Sequence, residues 1–303
     1  MKVRLGTRGS ALALAQARLV AGMLDADVEL VTVRVSGDEA PGRAPAQPPG
    51  DKSRFVKELE EALLSGDVDL AVHSAKDLPS ELPDGLAIVG VPPRADARDA
   101  VCGASAIADL PEGARVGTSS LRRRAQLLAR RPDLRVSDLR GNVDTRLRRL
   151  AEGRFDALVL AAAGLERLGR SGDGEPVPAA DMVPAAGQGC LALEARAGDD
   201  RAAGLAAAVT DRSALERLTA ERALVAELDA TCRTPLAAHA EHVDGGLELT
   251  AFAGLPDGSR WIRDVLRGDA AEPAALGRAI AERLLAAGAG DVLAEADESA
   301  APA

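Results

Sequence analysis

Leu70-Ala71-Val72-His73-Ser74-Ala75-Lys76-Asp77-Leu78-Pro79 is the stretch that decides the fold of this chain. The apolar run from Val68 to Val72, broken only by Asp69, reads as a buried strand of an α/β sheet. His73, Ser74, Lys76 and Asp77 then follow within five positions, and Pro79 stops any helix. Ligands of open α/β sheets sit beyond the carboxyl ends of the strands, so these side chains are candidates to face a crevice. The competing reading makes Lys76 and Asp77 a solvated pair worth under about 1 kcal/mol.

Working outward, the same sequence of strand, hydroxyl and basic residues, then helix, recurs. Lys2–Leu5 reads as a strand, Arg8 and Ser10 as its exit, and Ala11–Leu24 as a helix for which Ser10 is a good N-cap. Glu29–Val35 is a second strand. Ala114–Gly117 leads through Thr118-Ser119-Ser120 into a helix over 121–130, and Leu134–Leu139 through Arg140-Gly141-Asn142 into a helix over 143–151. Phe155–Ala162 reads as a buried strand closed by Gly164, and Leu191–Glu194 as one more strand returning to the first sheet. Helix N-termini present unpaired N–H groups and the positive dipole end, and Arg adds a planar fork that grips a carboxylate or phosphate. Four such exits suit a ligand with several negative groups. On a helix, Arg122-Arg123-Arg124 spread over about 200°, so one of them, Arg124, is expected to face solvent.

Two stretches read as crossings between domains: Pro92-Pro93, and the Gly/Pro/Ala-rich segment ending Pro184-Ala185-Ala186-Gly187-Gln188-Gly189. The expected architecture is two α/β domains with a crevice between them plus a small C-terminal α+β domain. The boundaries are 1–92 plus 190–208, 93–189 and 209–303. Residues 36–51 have no periodicity and are long for a connection, which is the profile of a disordered loop or an active-site lid. The tail 294–303 is acidic and small-residue rich and reads as frayed.

Composition narrows the partners. The chain has 303 residues, 47% of them hydrophobic but only 1% aromatic, so the core is made of Ala, Val and Leu. The net charge is −10, yet residues 115–154 hold twelve arginines against four carboxylates. A basic island in an acidic chain that lacks aromatics for stacking favours a confined anionic ligand over nucleic acid. Lys52, Lys57 and Lys76 are three of only four lysines, in a chain where Arg does nearly all other cationic work. No apolar run reaches the length of a membrane span, no signal-peptide core precedes the first strand, and the expected location is the cytoplasm. The three cysteines have neither metal-ligand nor disulfide spacing, and no metal site is expected. Cys102 and Cys190 read as small buried hydrophobes. Cys232 lies in Asp-Ala-Thr-Cys-Arg-Thr-Pro beside Arg233, which favours a thiolate; it is a candidate nucleophile or an inert loop residue. From the residues alone, an enzyme and a non-catalytic clamp for a small carboxylate both remain open.

Taken together, these segments resemble the porphobilinogen deaminase (hydroxymethylbilane synthase) family. The resemblance is carried by Thr7 to Ala13, Phe55 to Glu60, Ala71 to Pro79, Val116 to Arg123, Leu139 to Val143, Thr145 to Leu147 and Pro184 to Gly189, in order along nearly the whole chain. It implies a monomeric, three-domain transferase of tetrapyrrole (haem) biosynthesis that joins four porphobilinogen molecules head to tail with release of ammonia, giving hydroxymethylbilane. It implies a dipyrromethane cofactor held through a thioether to Cys232. It implies Asp77 as the catalytic carboxylate. Ser74, Lys76, Ser119, Arg122, Arg123, Arg140 and Arg146 would bind the cofactor; Arg8, Ser10, Lys52, Phe55, Arg140 and Arg146 would bind substrate. Two departures stand out. Lys52-Ser53-Arg54-Phe55 replaces the family's usual Lys-Gly-Leu-Phe, and Ala230-Thr231 replaces its usual Gly-Gly before the cysteine.

Overall fold

The computed structural model of the protein describes residues 2–34, 56–231 and 233–300. The chain opens with β1 (Lys2–Arg8), α1 (Ala11–Met23) and β2 (Asp27–Val33). The strands pair in parallel, Leu5 opposite Leu30, since a full helix between them returns the chain to the same end. α2 (Lys57–Leu64) leads to β3 (Leu70–Ser74), parallel to β1, and then to β4 (Leu86–Gly90). The strand expected at Val68–Val72 begins and ends two residues later, so His73 and Ser74 belong to it.

A second unit starts at Asp96. It contains β5 (Asp99–Cys102), β6 (Arg115–Gly117), α3 (Leu121–Arg130), β7 (Arg135–Ser137), α4 (Val143–Ala151), β8 (Ala157–Ala161), α5 (Ala162–Arg167) and the short β9 (Glu175–Pro176). The sheet order is β7-β6-β8-β5-β9, with β6, β7 and β8 parallel and β5 antiparallel to both its neighbours. Gly164 sits inside α5 rather than ending the strand, because Ala163 and Leu165 are buried and hold a helical turn there.

From Cys190 the chain belongs to the first unit again. β10 (Leu191–Arg196) pairs antiparallel with β3 and β4, giving the order β2-β1-β3-β10-β4, and α6 (Asp200–Ala208) follows. α7 (Arg212–Glu227) leads to a separate antiparallel sheet of β11 (Leu236–Val243), β12 (Gly246–Gly254) and β13 (Trp261–Gly268), packed by α8 (Pro273–Ala286) and α9 (Ala289–Ala300). This C-terminal sheet is compact with the second unit. Residues 294–300 of the tail expected to fray belong instead to the helix α9; 301–303 lie outside the described residues. Val292 and Ala296, one turn apart, are buried with Leu255, and Leu293 joins the core of the C-terminal sheet.

Strand alternation sorts the first sheet into two faces. Leu70 and Val72 of β3, with Leu191, Leu193 and Ala195 of β10, pack in one core with Val20 of α1 and Ala202 and Ala206 of α6. Ala71 faces the other way and packs with Leu59 and Leu63 of α2. With a period of two, His73 and Glu194 share that α2 face. The core is largely Ala, Val and Leu, as the composition requires.

Candidate functional site

In each of the two five-stranded sheets, every predicted site residue that is described lies at the carboxyl end of a parallel strand. In the first unit, Arg8 ends β1 and is half-buried, and the Ser10 hydroxyl accepts from Ala13 N at 3.2 Å to cap α1. Ser74 ends β3, where its hydroxyl accepts from Gln16 Nε2 at 2.8 Å. Lys76 and Asp77 follow in a single 3-10 turn, Ala75–Asp77, both half-buried. The turn is tied down at its start, where Ala75 N donates to the Cys190 carbonyl at 3.1 Å. His73 points away from this exit, into the sheet's α2 side, with Nε2 2.9 Å from Glu194 Oε2.

In the second unit, Ser119 is exposed and Ser120 caps α3 by accepting from Arg123 N. Arg122 and Arg123 turn inward and are buried, while Arg124 is the more open of the three. Both inner arginines meet Asp99, the first residue of β5. Arg122 Nη1 donates to Asp99 Oδ2 and to the Val183 carbonyl, both at 2.7 Å, and Nη2 donates to Oδ1 at 3.1 Å. Arg123 Nε and Nη2 donate to Asp99 Oδ1 at 3.0 and 2.8 Å, and its Nη1 to the Val159 carbonyl at 2.9 Å. A guanidinium has five N–H donors, so these contacts use three on each arginine. The sequence reading named both as cofactor-binding residues and did not include this internal partner. Gln188 completes the knot, its Nε2 donating to Asp99 Oδ1 at 2.9 Å and to the Ala97 carbonyl at 2.7 Å.

Arg140 is exposed, with Asp138 as a distant 3.8 Å partner. Arg146 lies one turn into α4, its Nε donating to the Gly141 carbonyl at 2.7 Å. Gly141 has φ of +116°, and a Cβ there would meet Thr145 Cγ2 at 2.9 Å, so glycine alone fits between Arg140 and the Asn142 cap.

The charges do not balance. Burial by itself would push the Asp99 carboxyl upward, but Arg122 and Arg123 outweigh it and hold the group well below the ordinary carboxylate range. Arg123 nevertheless moves down, because desolvation and the nearby Arg122 cost it more than its share of one carboxylate returns. Burial, Arg123 and Arg149 push Arg146 down to about 10. Among the described residues, no carboxylate besides Asp99 pairs with Arg122, Arg123 or Arg146. The end of the second sheet therefore holds a partly desolvated surplus of positive charge, which a carboxylate ligand would neutralise. Lys52, Phe55 and Cys232 lie outside the described residues, as does the loop 36–51.

Comparison with known proteins agrees with this chemistry. The family model described as "Porphobilinogen deaminase, dipyromethane cofactor binding domain" matches residues 3–204, and the model for "Porphobilinogen deaminase, C-terminal domain" matches residues 215–286. The chain belongs to the porphobilinogen deaminase family. The porphobilinogen deaminase of Roseiflexus castenholzii is 49% identical, over 94% of this chain and 96% of its own. That of Deinococcus radiodurans is 46% identical, over 96% and 97%. A periplasmic substrate-binding protein of an ABC transporter from Coxiella burnetii aligns over 70% of this chain and 94% of its own, at 16% identity and a TM-score of 0.41, too loose a likeness to add to the family assignment.

Sequence reasoning missed Asp99, Gln188, Glu60 and Glu194. Asp99 is hidden in Arg94-Ala95-Asp96-Ala97-Arg98-Asp99, which looks like a solvated charged linker. Glu194 did carry a signal: it is the one charge inside the apolar run Leu191–Ala195, and an ionised group in a strand buried on both faces needs a partner.

Proposed function

We propose that this chain joins four porphobilinogen molecules head to tail on a dipyrromethane primer, releasing one ammonia at each step, to give hydroxymethylbilane for tetrapyrrole biosynthesis. The observation that carries this reading is the positive surplus around Asp99. Porphobilinogen and dipyrromethane both bear acetate and propionate arms, and a carboxylate-rich group fits a donor set of Arg122, Arg123, Arg140, Arg146 and Ser119. When bound, dipyrromethane supplies the pyrrole carbon to which the first substrate unit is joined.

In this reading Arg140 and Arg146 grip carboxylate arms with their planar forks, and the remaining N–H groups of Arg122 and Arg123 take further oxygens. Lys76 adds a compact positive charge beside Ser74 at the end of β3. Arg8 and Ser10 bind carboxylate arms at the end of β1; Lys52 binds a carboxylate arm as well, and Phe55 lies against a pyrrole ring. Each condensation forms one C–C bond, breaks the C–N bond of an aminomethyl group, and removes the α C–H proton of the acceptor pyrrole, so that the amine leaves as ammonia with the proton count unchanged. Asp77 holds the proton the departing amine takes, then faces the positive charge left on the ring system. Removed from bulk water, that single carboxylate is electrostatically far more effective. Cys232 supplies the sulfur of the thioether. The proposal includes a cytoplasmic monomer that needs neither nucleic acid nor membrane. Its three domains, 1–92 plus 190–208, 93–189 and 209–303, are supported by the three separate sheets.

The test is the intact mass of the denatured protein, before and after incubation with porphobilinogen, beside that of Cys232→Ser. A wild-type mass above the sequence value by one dipyrromethane, absent in the variant, is the expected result. A wild-type mass that stays at the sequence value after incubation would refute the reading. Asp77→Asn is expected to fold and keep the added mass but turn over very slowly; normal turnover would remove Asp77 from its role.

A further inference from the structure

On the α2 side of the first sheet, β3, β10 and the covering helix bring together three ionisable side chains that the mechanism does not use. Glu60 of α2, His73 of β3 and Glu194 of β10 are 8%, 5% and 0% exposed. Register places two of them together. His73 lies opposite Ala192 in the antiparallel pair, so Glu194, two residues on, is its diagonal neighbour on the same face. Glu60 comes from the helix that covers that face. Burial, and next the charge of Glu194, push its carboxyl above the ordinary value, while His73 pulls the other way.

The cluster is poorly satisfied. His73 Nε2 and Glu194 Oε2 are at ion-pair distance, yet neither of those atoms, nor Glu194 Oε1, nor Glu60 Oε1, has an aligned hydrogen-bond partner among the described residues. A half-satisfied buried polar network costs a fold more than an apolar core of the same shape. The cost sits next to Leu59, Leu63 and Ala71, where apolar side chains already pack well. It ties together the helix that follows residues 52–55, the strand that ends in Ser74 and leads into Asp77, and the strand whose preceding residue, Cys190, fixes Ala75. Local rules are broken in this way where a site requires it.

We propose that Glu60, His73 and Glu194 are positioning residues for the catalytic turn, a buried polar knot that fixes the carboxyl end of β3 and with it the aim of Asp77. The inference rests on the deaminase reading above. It goes beyond that reading by assigning a role in the reaction to three residues that the reading leaves unused.

The experiment compares wild type with Glu60→Gln, Glu194→Gln and His73→Asn, each close in size to the residue it replaces. Four quantities are read: the mass of the attached cofactor, the melting temperature, and kcat and KM for porphobilinogen consumption. The expected result is retained cofactor mass, a melting temperature equal to or above wild type, kcat lowered about tenfold and KM within about twofold, since a displacement well under 1 Å at the reacting group has this scale. If Glu194→Gln, the most deeply placed change, fails to fold, the same pattern is required of Glu60→Gln. Unchanged kcat in the folded, cofactor-bearing variants overturns the proposal. So does a lower melting temperature with normal kcat per folded molecule, which marks a purely structural cluster. A wild-type protein that neither gains dipyrromethane mass nor consumes porphobilinogen overturns the deaminase reading itself, and the proposal with it.

Discussion

A single aspartate decides the character of the arginine cluster. Asp99 is fully buried and stands between two buried guanidiniums that would otherwise repel each other. Removing one partner of such a buried set costs about 3–5 kcal/mol, because the remaining charges lose their counterion. Asp99→Asn is therefore expected to lower unfolding free energy by that amount at neutral pH, measured by denaturant titration. The pH sign follows from the depressed carboxyl. Its stabilisation is fully present above the ordinary value of 3.8 and is lost as pH falls below it, so wild type weakens steeply there while the variant loses less. Little of this was legible in the sequence. Arg122 and Arg123 read as candidate anion binders from Ser-Ser-Leu-Arg-Arg at a helix start, but their burial against Asp99 depends on β5, whose first residue is more than twenty positions away. Local pattern could not pair them with Asp99.

At the scale of elements, the helices whose starts carry chemistry were the most readable. α3 and α4 run over the very residues expected, 121–130 and 143–151; the structure shows Ser120 and Asn142 as their caps, and a capping side chain and a following amphipathic pattern act within one turn of chain. The four-residue β5 and the two-residue β9 were not seen. Such short strands have no period to detect, and their pairing partners are remote. The exit at Arg140-Gly141-Asn142 offers a direct test. Gly141→Ala must place a Cβ against Thr145 in a backbone region that L-residues avoid, at a cost of about 1–2 kcal/mol. The expected outcome is a lower denaturation midpoint together with a raised KM for porphobilinogen. The displaced loop carries Arg140 directly, and its carbonyl anchors Arg146.

For the molecule as a whole, the two α/β sheets share a plan the sequence only hinted at. In each, three parallel strands are joined by an antiparallel fourth, and that strand is the first one after the chain changes unit: β5 beyond Ala95, β10 beyond Gly189. The Pro92-Pro93 and Pro184–Gly189 segments were legible as crossings because Pro and Gly interrupt periodic runs; the strand order was not, because no local signal encodes it. The uncompensated arginines give a prediction at this scale. A ligand that neutralises them in the folded state alone stabilises that state by linkage. The Cys232→Ser protein is therefore expected to melt about 5 °C or more below loaded wild type, and calorimetry of the two samples measures the gap. The placement of β10 has one more consequence, for the order in which the protein is made. The slot between β3 and β4 is filled by a strand that begins about a hundred residues after β4 ends. At ribosomal speeds of about 5–20 residues per second, the first sheet waits roughly 5–20 s with two open edges, while the strands of the second are all synthesised in the interval. Of the two α/β sheets, the one begun first is thus the later to be completed, and its unfilled slot is where a nascent chain of this protein is most exposed to the wrong partner.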